Sequence, residues 1–182
     1  LGLLAAAGFS RGLPAPASAK TRSWKRLLRP PGALAEESFN RTCDRCGQCL
    51  LACPTKCLVP AGLEAGLEGF WTPRFIPRRG RCMLCDACDL VCPTGALAPV
   101  SPEGIRMGTA EILRNKCVAW ALGRRCFVCI EVCSKFAIKA ETGNRPVVIE
   151  DRCLGCGACE ANCPIDGAAI QVVSRGEIRR RG

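Results

Sequence analysis

Apolar positions along this chain gather in short bursts, and sustained helical or strand periodicity is scarce. The first burst, Leu1 to Phe9 in "LGLLAAAGFSRGLPAPASAK", is a run of nine apolar or small residues, too short to span a bilayer by itself. It reads as the end of an apolar h-region, with Ala17-Ser18-Ala19 as a small-residue cleavage site before Lys20. Residues 1–19 are therefore expected to be an export leader; the alternative is an apolar arm kept as an N-terminal anchor, packed on the body or on a partner. A twin-arginine motif would lie upstream of Leu1, because Arg78-Arg79 sits too deep in the chain to qualify. Next comes the polar stretch "KTRSWKRLLRPPG", whose Pro30-Pro31-Gly32 ending reads as an extended linker, so 20–42 forms a basic linker. A short helix is expected across Ala33 to Phe39. Further on, Pro146-Val147-Val148-Ile149 and Ala169 to Val173 read as strands, with Thr142-Gly143-Asn144 supplying a turn before the first of them.

So few regular elements leave the fold without an ordinary apolar core, and cysteine fills the gap. The chain of 182 residues carries 17 of them. They recur in four groups, the strongest internal repetition in the sequence. Group one is "CDRCGQCLLACP" (Cys43, Cys46, Cys49, Cys53). Group two is "CMLCDACDLVCP" (Cys82, Cys85, Cys88, Cys92). Group three is stretched, Cys117 standing nine residues before Cys126, Cys129 and Cys133. Group four is "CLGCGACEANCP" (Cys153, Cys156, Cys159, Cys163). Cys57 is left over and reads as a small buried hydrophobe in preference to a replacement ligand.

The run C-x₂-C-x₂-C-x₃-C-P is the bacterial ferredoxin signature, in which three close thiolates hold one [4Fe–4S] cluster and the fourth ligates another. Cysteines three apart in a tight loop reach three corners of one cube, while the intervening N–H groups point inward to the sulfurs. The fourth starts a helix that leads away to the neighbouring cluster, and the following Pro suits a first helical position. Gly155 and Gly157 allow the turn between ligands. Zinc knuckles supply two ligands each and do not match three such runs; C-x-x-C loops make poor structural disulfides. The sixteen grouped cysteines are thus iron ligands for four [4Fe–4S] clusters. Clusters come in pairs, and two arrangements fit the gaps: adjacent (one with two, three with four) and nested (one with four, two with three). Nested pairing is the expectation, by analogy with four-cluster subunits of membrane-bound oxidoreductases. Residues 43–112 hold groups one and two, and 113–182 hold three and four. The fold class is α+β, as small loop-rich ferredoxin-like modules, two bacterial 2[4Fe–4S] units with little regular secondary structure.

Histidine is absent, which removes c-type haem, Cys/His zinc sites and His-based acid–base or triad catalysis. No catalytic residue is assigned. The formal charge of +10 would by itself point to an anionic partner such as nucleic acid. Four clusters with their thiolates carry roughly −2 each, leaving about +2, so the basic excess is largely cofactor compensation. No tyrosine and nine Phe or Trp supply few stacking platforms, and nucleic acid is excluded as a partner. The stretch Trp71 to Arg79 reads as a docking loop for an acidic partner or as a packed loop covering a cluster. Arg179 to Arg181 read as a solvated tail.

From Trp24 onward the chain resembles the NapG/MauM family of exported polyferredoxins. The matching pieces are "RPPGAL" with Phe39, "CDRCGQCLLACP", "TPRFIPRRGRCMLC" leading to "CPTGAL", "NKCVAWALGRRCFVCIEVC" and "CLGCGACEANCP". Group two is more compact than expected of relatives, and Ser134 replaces the Pro after the fourth cysteine of group three. The resemblance implies a Tat-exported protein of the periplasm, or the outer face of the cytoplasmic membrane, with four [4Fe–4S] clusters. Its implied partners are a membrane quinol-oxidising polyferredoxin and c-type cytochromes, with membrane association through the N-terminus or a partner subunit. The terminal enzyme implied is periplasmic nitrate reductase in one branch, and the other branch belongs to methylamine utilisation. The expected function is one-electron relay without catalysis of its own. Alternatives are an iron–sulfur subunit of a larger membrane-bound complex with multihaem cytochromes, and a metal-stabilised scaffold that moves no electrons.

Overall fold

The computed structural model describes residues 27–181; the leader and the start of the linker lie outside them. Helix α1 (Glu36–Thr42) begins three residues later than expected. The reason is that Ala33 and Leu34 spend their backbone on bridges to Leu97 and Arg180, so the helix starts only after them. Short elements follow: α2 (Gln48–Ala52), β1 (Leu58–Pro60), α3 (Gly66–Gly69), β2 (Pro73–Phe75), α4 (Ala87–Leu90), β3 (Thr109–Ile112), α5 (Val118–Ala121), α6 (Val128–Glu131), β4 (Ile138–Glu141), β5 (Arg145–Val148), α7 (Ala158–Ala161) and β6 (Ile170–Val173). The fold is the small, loop-rich, mixed α and β one read from the sequence.

The strands form three antiparallel pairs. β1 lies on β2 with Leu58 opposite Phe75, and β4 on β5 with Ile138 opposite Val148. This second pair is a hairpin through Gly143 and Asn144, both at positive φ, as the turn residues require. β3 lies on β6 with Ala110 opposite Val172, joining residues before group three to residues after group four.

Two apolar cores result, and cysteine is part of both. The first gathers Leu34, Phe39, Leu58, Phe75, Leu97 and Met107 with Cys49, Cys53 and Cys57. The second gathers Ala110, Ala119, Ile138 and Ile170 with Cys117, Cys153, Cys159 and Cys163. Its small residues leave room at the centre that side chains alone do not fill.

Arg29, from the stretch read as linker, is the largest fully buried side chain in the structure. Its guanidinium pairs with Glu36, donates to Thr72 Oγ1 at 2.8 Å and to the Pro73 carbonyl at 2.7 Å, and stacks on Phe39 at 4.6 Å. Every donor direction is used, which is the condition for burying a charge. Arg29→Met strips these bonds from α1 and β2 and is expected to cost about 2–4 kcal/mol. Guanidinium titration of the holoprotein, followed by loss of visible absorbance, measures this as a lower midpoint.

The C-terminal residues are not the solvated tail expected. Arg180 exchanges main-chain hydrogen bonds with Ala33 and Ala35 at 2.9 Å each. Arg179 donates to Glu177 at 2.7 Å and to the Leu27 carbonyl at 3.0 Å. The chain end becomes an edge segment because Ala33 to Ala35 offers it open backbone groups.

Candidate metal centres

The loops between cysteines wind through alternating right- and left-handed residues. In group one, Arg45 (φ 60°) and Gly47 (φ 77°) are left-handed; in group two, Leu84 (56°) and Asp86 (55°); in group four, Gly155 (69°) and Gly157 (79°). These are the same two positions after each first cysteine. Such alternation turns successive N–H groups toward one concavity, a nest for anionic sulfur. For Arg45, Leu84 and Asp86 it costs of order 1 kcal/mol each, which persists only where something in the concavity repays it. Glycine avoids that cost in group four, where space also demands it. A Cβ on Gly155 would lie 2.6 Å from the Gly108 nitrogen, and one on Gly157 would lie 2.7 Å from Pro77 Cβ. Group three, with its long gap, makes a different loop: α5 fills it and Gly123 (φ 62°) turns the chain back toward Cys126.

The structure replaces nested pairing by adjacent pairing. Cys43, Cys46 and Cys49 line one cavity with Cys92, the fourth cysteine of group two. Cys82, Cys85 and Cys88 line another with Cys53, the fourth of group one. Helices α2 and α4 carry these fourth cysteines across to each other. In the second half, Cys117, Cys126 and Cys129 line a cavity with Cys163. Cys133 is close enough to Cys156 and Cys159 for its charge to raise both thiols, completing a fourth set with Cys153. Each of the sixteen predicted residues thus falls into a set of four. The analogy failed because sequential neighbours, joined by short connections, pack together before distant groups can.

The fourth cysteines are held alike. The N–H of Leu97 donates to Cys92 Sγ at 3.4 Å, that of Ala137 to Cys133 Sγ at 3.3 Å, and that of Ala169 to Cys163 Sγ at 3.2 Å. Burial pushes the Cys53 and Cys92 thiols up, but hydrogen bonds outweigh it and leave both below the ordinary thiol value. The donors are Thr55, Cys57 and Leu58 for Cys53, and Leu97, Thr94 and Gly95 for Cys92. The cavity-centre thiols go the other way. Burial, then neighbouring cysteines, raises Cys49 and Cys129 to about 12 and Cys82 to about 11; Cys159 goes higher still, as does Cys88, where the Asp89 carboxylate adds to burial ahead of the cysteines. Thiolates so crowded need cations among them.

Among the described residues, no three Cys, Asp or Glu side chains converge on a single ion position. Four thiols placed apart around one cavity, three of them on a single loop, are the donor set of a [4Fe–4S] cluster. The residues present fit a [4Fe–4S] group.

The sets follow one another in the order one, two, four, three. Across the first step the charge of Cys49 helps raise Cys88, and across the last that of Cys129 helps raise Cys159. In the middle, the Cys82 N–H donates to the Cys156 carbonyl at 2.8 Å. The stretch Trp71 to Arg79 secures this junction, so packing is its main role. Phe75 and Pro77 are buried against Gly157, and the Arg78 guanidinium donates to the carbonyls of Glu160 and Cys163 at 2.8 Å each. Sequence reasoning missed Arg78; its place beside two buried residues was the available signal.

Cys57 is buried, as expected of a small hydrophobe, but it also lines the group-two cavity with its Sγ 3.5 Å from Cys53 Sγ. It is a neighbour of the ligand set. Cys57→Ala is expected to leave the iron count unchanged and to lower the potential of one centre, because a hydrogen bond to its sulfur is lost. Loss of about four irons in this variant would make Cys57 a ligand.

These donor sets in a loop-rich fold define a ferredoxin-type iron–sulfur protein. Two families of that class match: a 4Fe-4S dicluster domain at residues 42–96 and a 4Fe-4S binding domain at residues 146–167. Over most of its length the chain is similar to curated relatives. It is 38% identical to the ferredoxin-type protein NapG of Escherichia coli (strain K12), over 94% of this chain and 80% of that protein. It is 37% identical to the methylamine utilization ferredoxin-type protein MauM of Methylorubrum extorquens, over 82% of this chain and 74% of that one. The chain belongs to the NapG/MauM family of ferredoxin-type proteins.

Proposed function

We propose that the chain relays electrons one at a time through four [4Fe–4S] clusters, between a membrane quinol-oxidising partner and a c-type cytochrome or periplasmic reductase. The observation that carries this reading is the exchange of fourth cysteines between adjacent groups, seen in three cavities lined by four thiols each and in the placing of Cys133 beside Cys156 and Cys159. Cys43, Cys46, Cys49 and Cys92 would hold one cluster, and Cys82, Cys85, Cys88 and Cys53 the second. Cys153, Cys156, Cys159 and Cys133 would hold the third, and Cys117, Cys126, Cys129 and Cys163 the fourth. A cluster bound in each set supplies a one-electron couple. The chain's own work is to exclude water, to aim N–H groups at sulfur and to fix the order of the sets.

Work at the outer face of the cytoplasmic membrane, after Tat export, belongs to the same reading and is supported by family resemblance. No helix among the described residues is long and apolar enough to cross a membrane, so attachment would come from the N-terminus or a partner subunit. The test is iron, acid-labile sulfide and zinc per chain on anaerobically purified protein, followed by reductive titration under EPR. About 16 iron and 16 sulfide with reducible signals are expected. Zinc in place of iron, or clusters silent to reduction, would overturn the relay.

A further inference from the structure

The group-three set stands at one end of the row, and its surroundings are chemically unlike the other end. Between Glu111 and Glu131 there are four cations, Arg114, Lys116, Arg124 and Arg125, and no acid. Arg145 joins them from β5. All five are exposed, and none makes an ion pair among the described residues. Elsewhere Arg45, Lys56 and Arg78 spend their donors on main-chain carbonyls. Here Arg114 and Arg145 are drawn together, their guanidinium carbons 4.3 and 5.1 Å from the centre of one ring, that of Trp120. The indole is fixed by its Nε1 donating to the Pro146 carbonyl at 2.9 Å. Lys116 reaches over the loop that carries Cys163, its Nζ near Gly167, and Arg124-Arg125 directly precede Cys126. The stretched gap of group three therefore forms a positive collar around the last donor set. At the far end, near group one, the exposed side chains include the apolar Leu63, Leu67, Phe70 and Trp71 and the acids Asp44, Glu64 and Glu68.

Resting on the relay reading, we propose that this collar is the docking site for the acidic face of a soluble electron-transfer protein, which exchanges electrons at the group-three set. Cations meant only to balance cluster charge would face the thiols; these face outward, where their mutual repulsion is relieved when an acidic surface covers them. A nucleic acid would need open stacking faces, and the indole is already flanked by two guanidiniums. A lipid surface would want apolar insertion, and Leu122 is the main exposed apolar side chain of the collar.

The test uses dithionite-reduced holoprotein in stopped flow, with an acidic and a basic soluble cytochrome c of matched potential as oxidants. The acidic cytochrome is expected to react at least tenfold faster at about 10 mM ionic strength, with the advantage collapsing as salt shortens the Debye length. Arg124→Glu/Arg125→Glu, and independently Arg114→Glu/Arg145→Glu, should each remove most of that advantage while keeping full iron content. The equal charge change in Arg41→Glu/Arg181→Glu should leave it. Equal rates for both cytochromes, or a loss as large in the control as in the collar variants, would overturn the port and leave the relay standing. Salt-sensitive binding to phosphatidylglycerol vesicles, abolished by the collar variants while the cytochromes are not distinguished, would also overturn it in favour of a membrane surface. Failure of the reduced protein to pass electrons to either oxidant would remove the relay reading itself.

Discussion

Cys53→Ser is expected to empty the group-two set and leave the group-one set filled. The residue belongs by sequence to "CDRCGQCLLACP", yet its thiol stands with Cys82, Cys85 and Cys88. Serine offers a harder, more basic donor in a site whose N–H and Thr55 contacts are built for a soft thiolate. Iron should fall by about four per chain. Brief alkylation and peptide mapping should then find Cys82, Cys85 and Cys88 newly reactive, with Cys43, Cys46, Cys49 and Cys92 protected. Cys92→Ser should give the reciprocal pattern. Reactivity appearing in group four after Cys53→Ser would restore nested pairing.

Gly155→Ala is expected to be the most damaging single methyl in the second half. The residue is left-handed at φ 69°, which costs alanine about 1 kcal/mol. The new Cβ would also fall 2.6 Å from the nitrogen and 2.7 Å from the oxygen of Gly108. Gly108 cannot retreat: a Cβ there would already be 2.1 Å from the Val173 carbonyl, and Met107 N–H is tied to the Leu154 carbonyl at 3.0 Å. The substitution must break the β3–β6 pairing or displace Cys153 and Cys156, a total of roughly 3 kcal/mol or more. Iron should drop by about four as the set holding Cys153 and Cys156 fails. Gly47→Ala is the control, equally left-handed but with open space around its Cβ; it should cost about 1 kcal/mol and keep its iron.

The sequence made the chemistry legible and left the tertiary arrangement open. Spacing alone picked out the sixteen cysteines that the fold gathers into sets, because ligand geometry constrains consecutive residues. The strands at Pro146–Ile149 and Ala169–Val173 appear within a residue as β5 and β6 for the same local reason, a turn beside β-branched runs. Pairing of the groups was not local. It depends on where α2 and α4 deliver Cys53 and Cys92, and on a short connection favouring the nearest group. Arg29 was equally hidden, since a basic residue before two prolines resembles linker until Thr72, Pro73 and Glu36 converge on it. The left-handed Leu84 and Asp86 had no glycine to announce them; the repeat of group four's positions was the signal.

The bonds from Arg180 to Ala33 and Ala35 bear on the timing of assembly. They join residues about 145 positions apart, so they cannot form until synthesis has passed residue 180. Leu34, half of the bridge that closes the first core, waits for Arg180 to leave the ribosome. The first half therefore stays open along one edge until Arg180 has emerged, although its cysteines emerge early. That interval leaves the group-one thiols within reach before the edge closes.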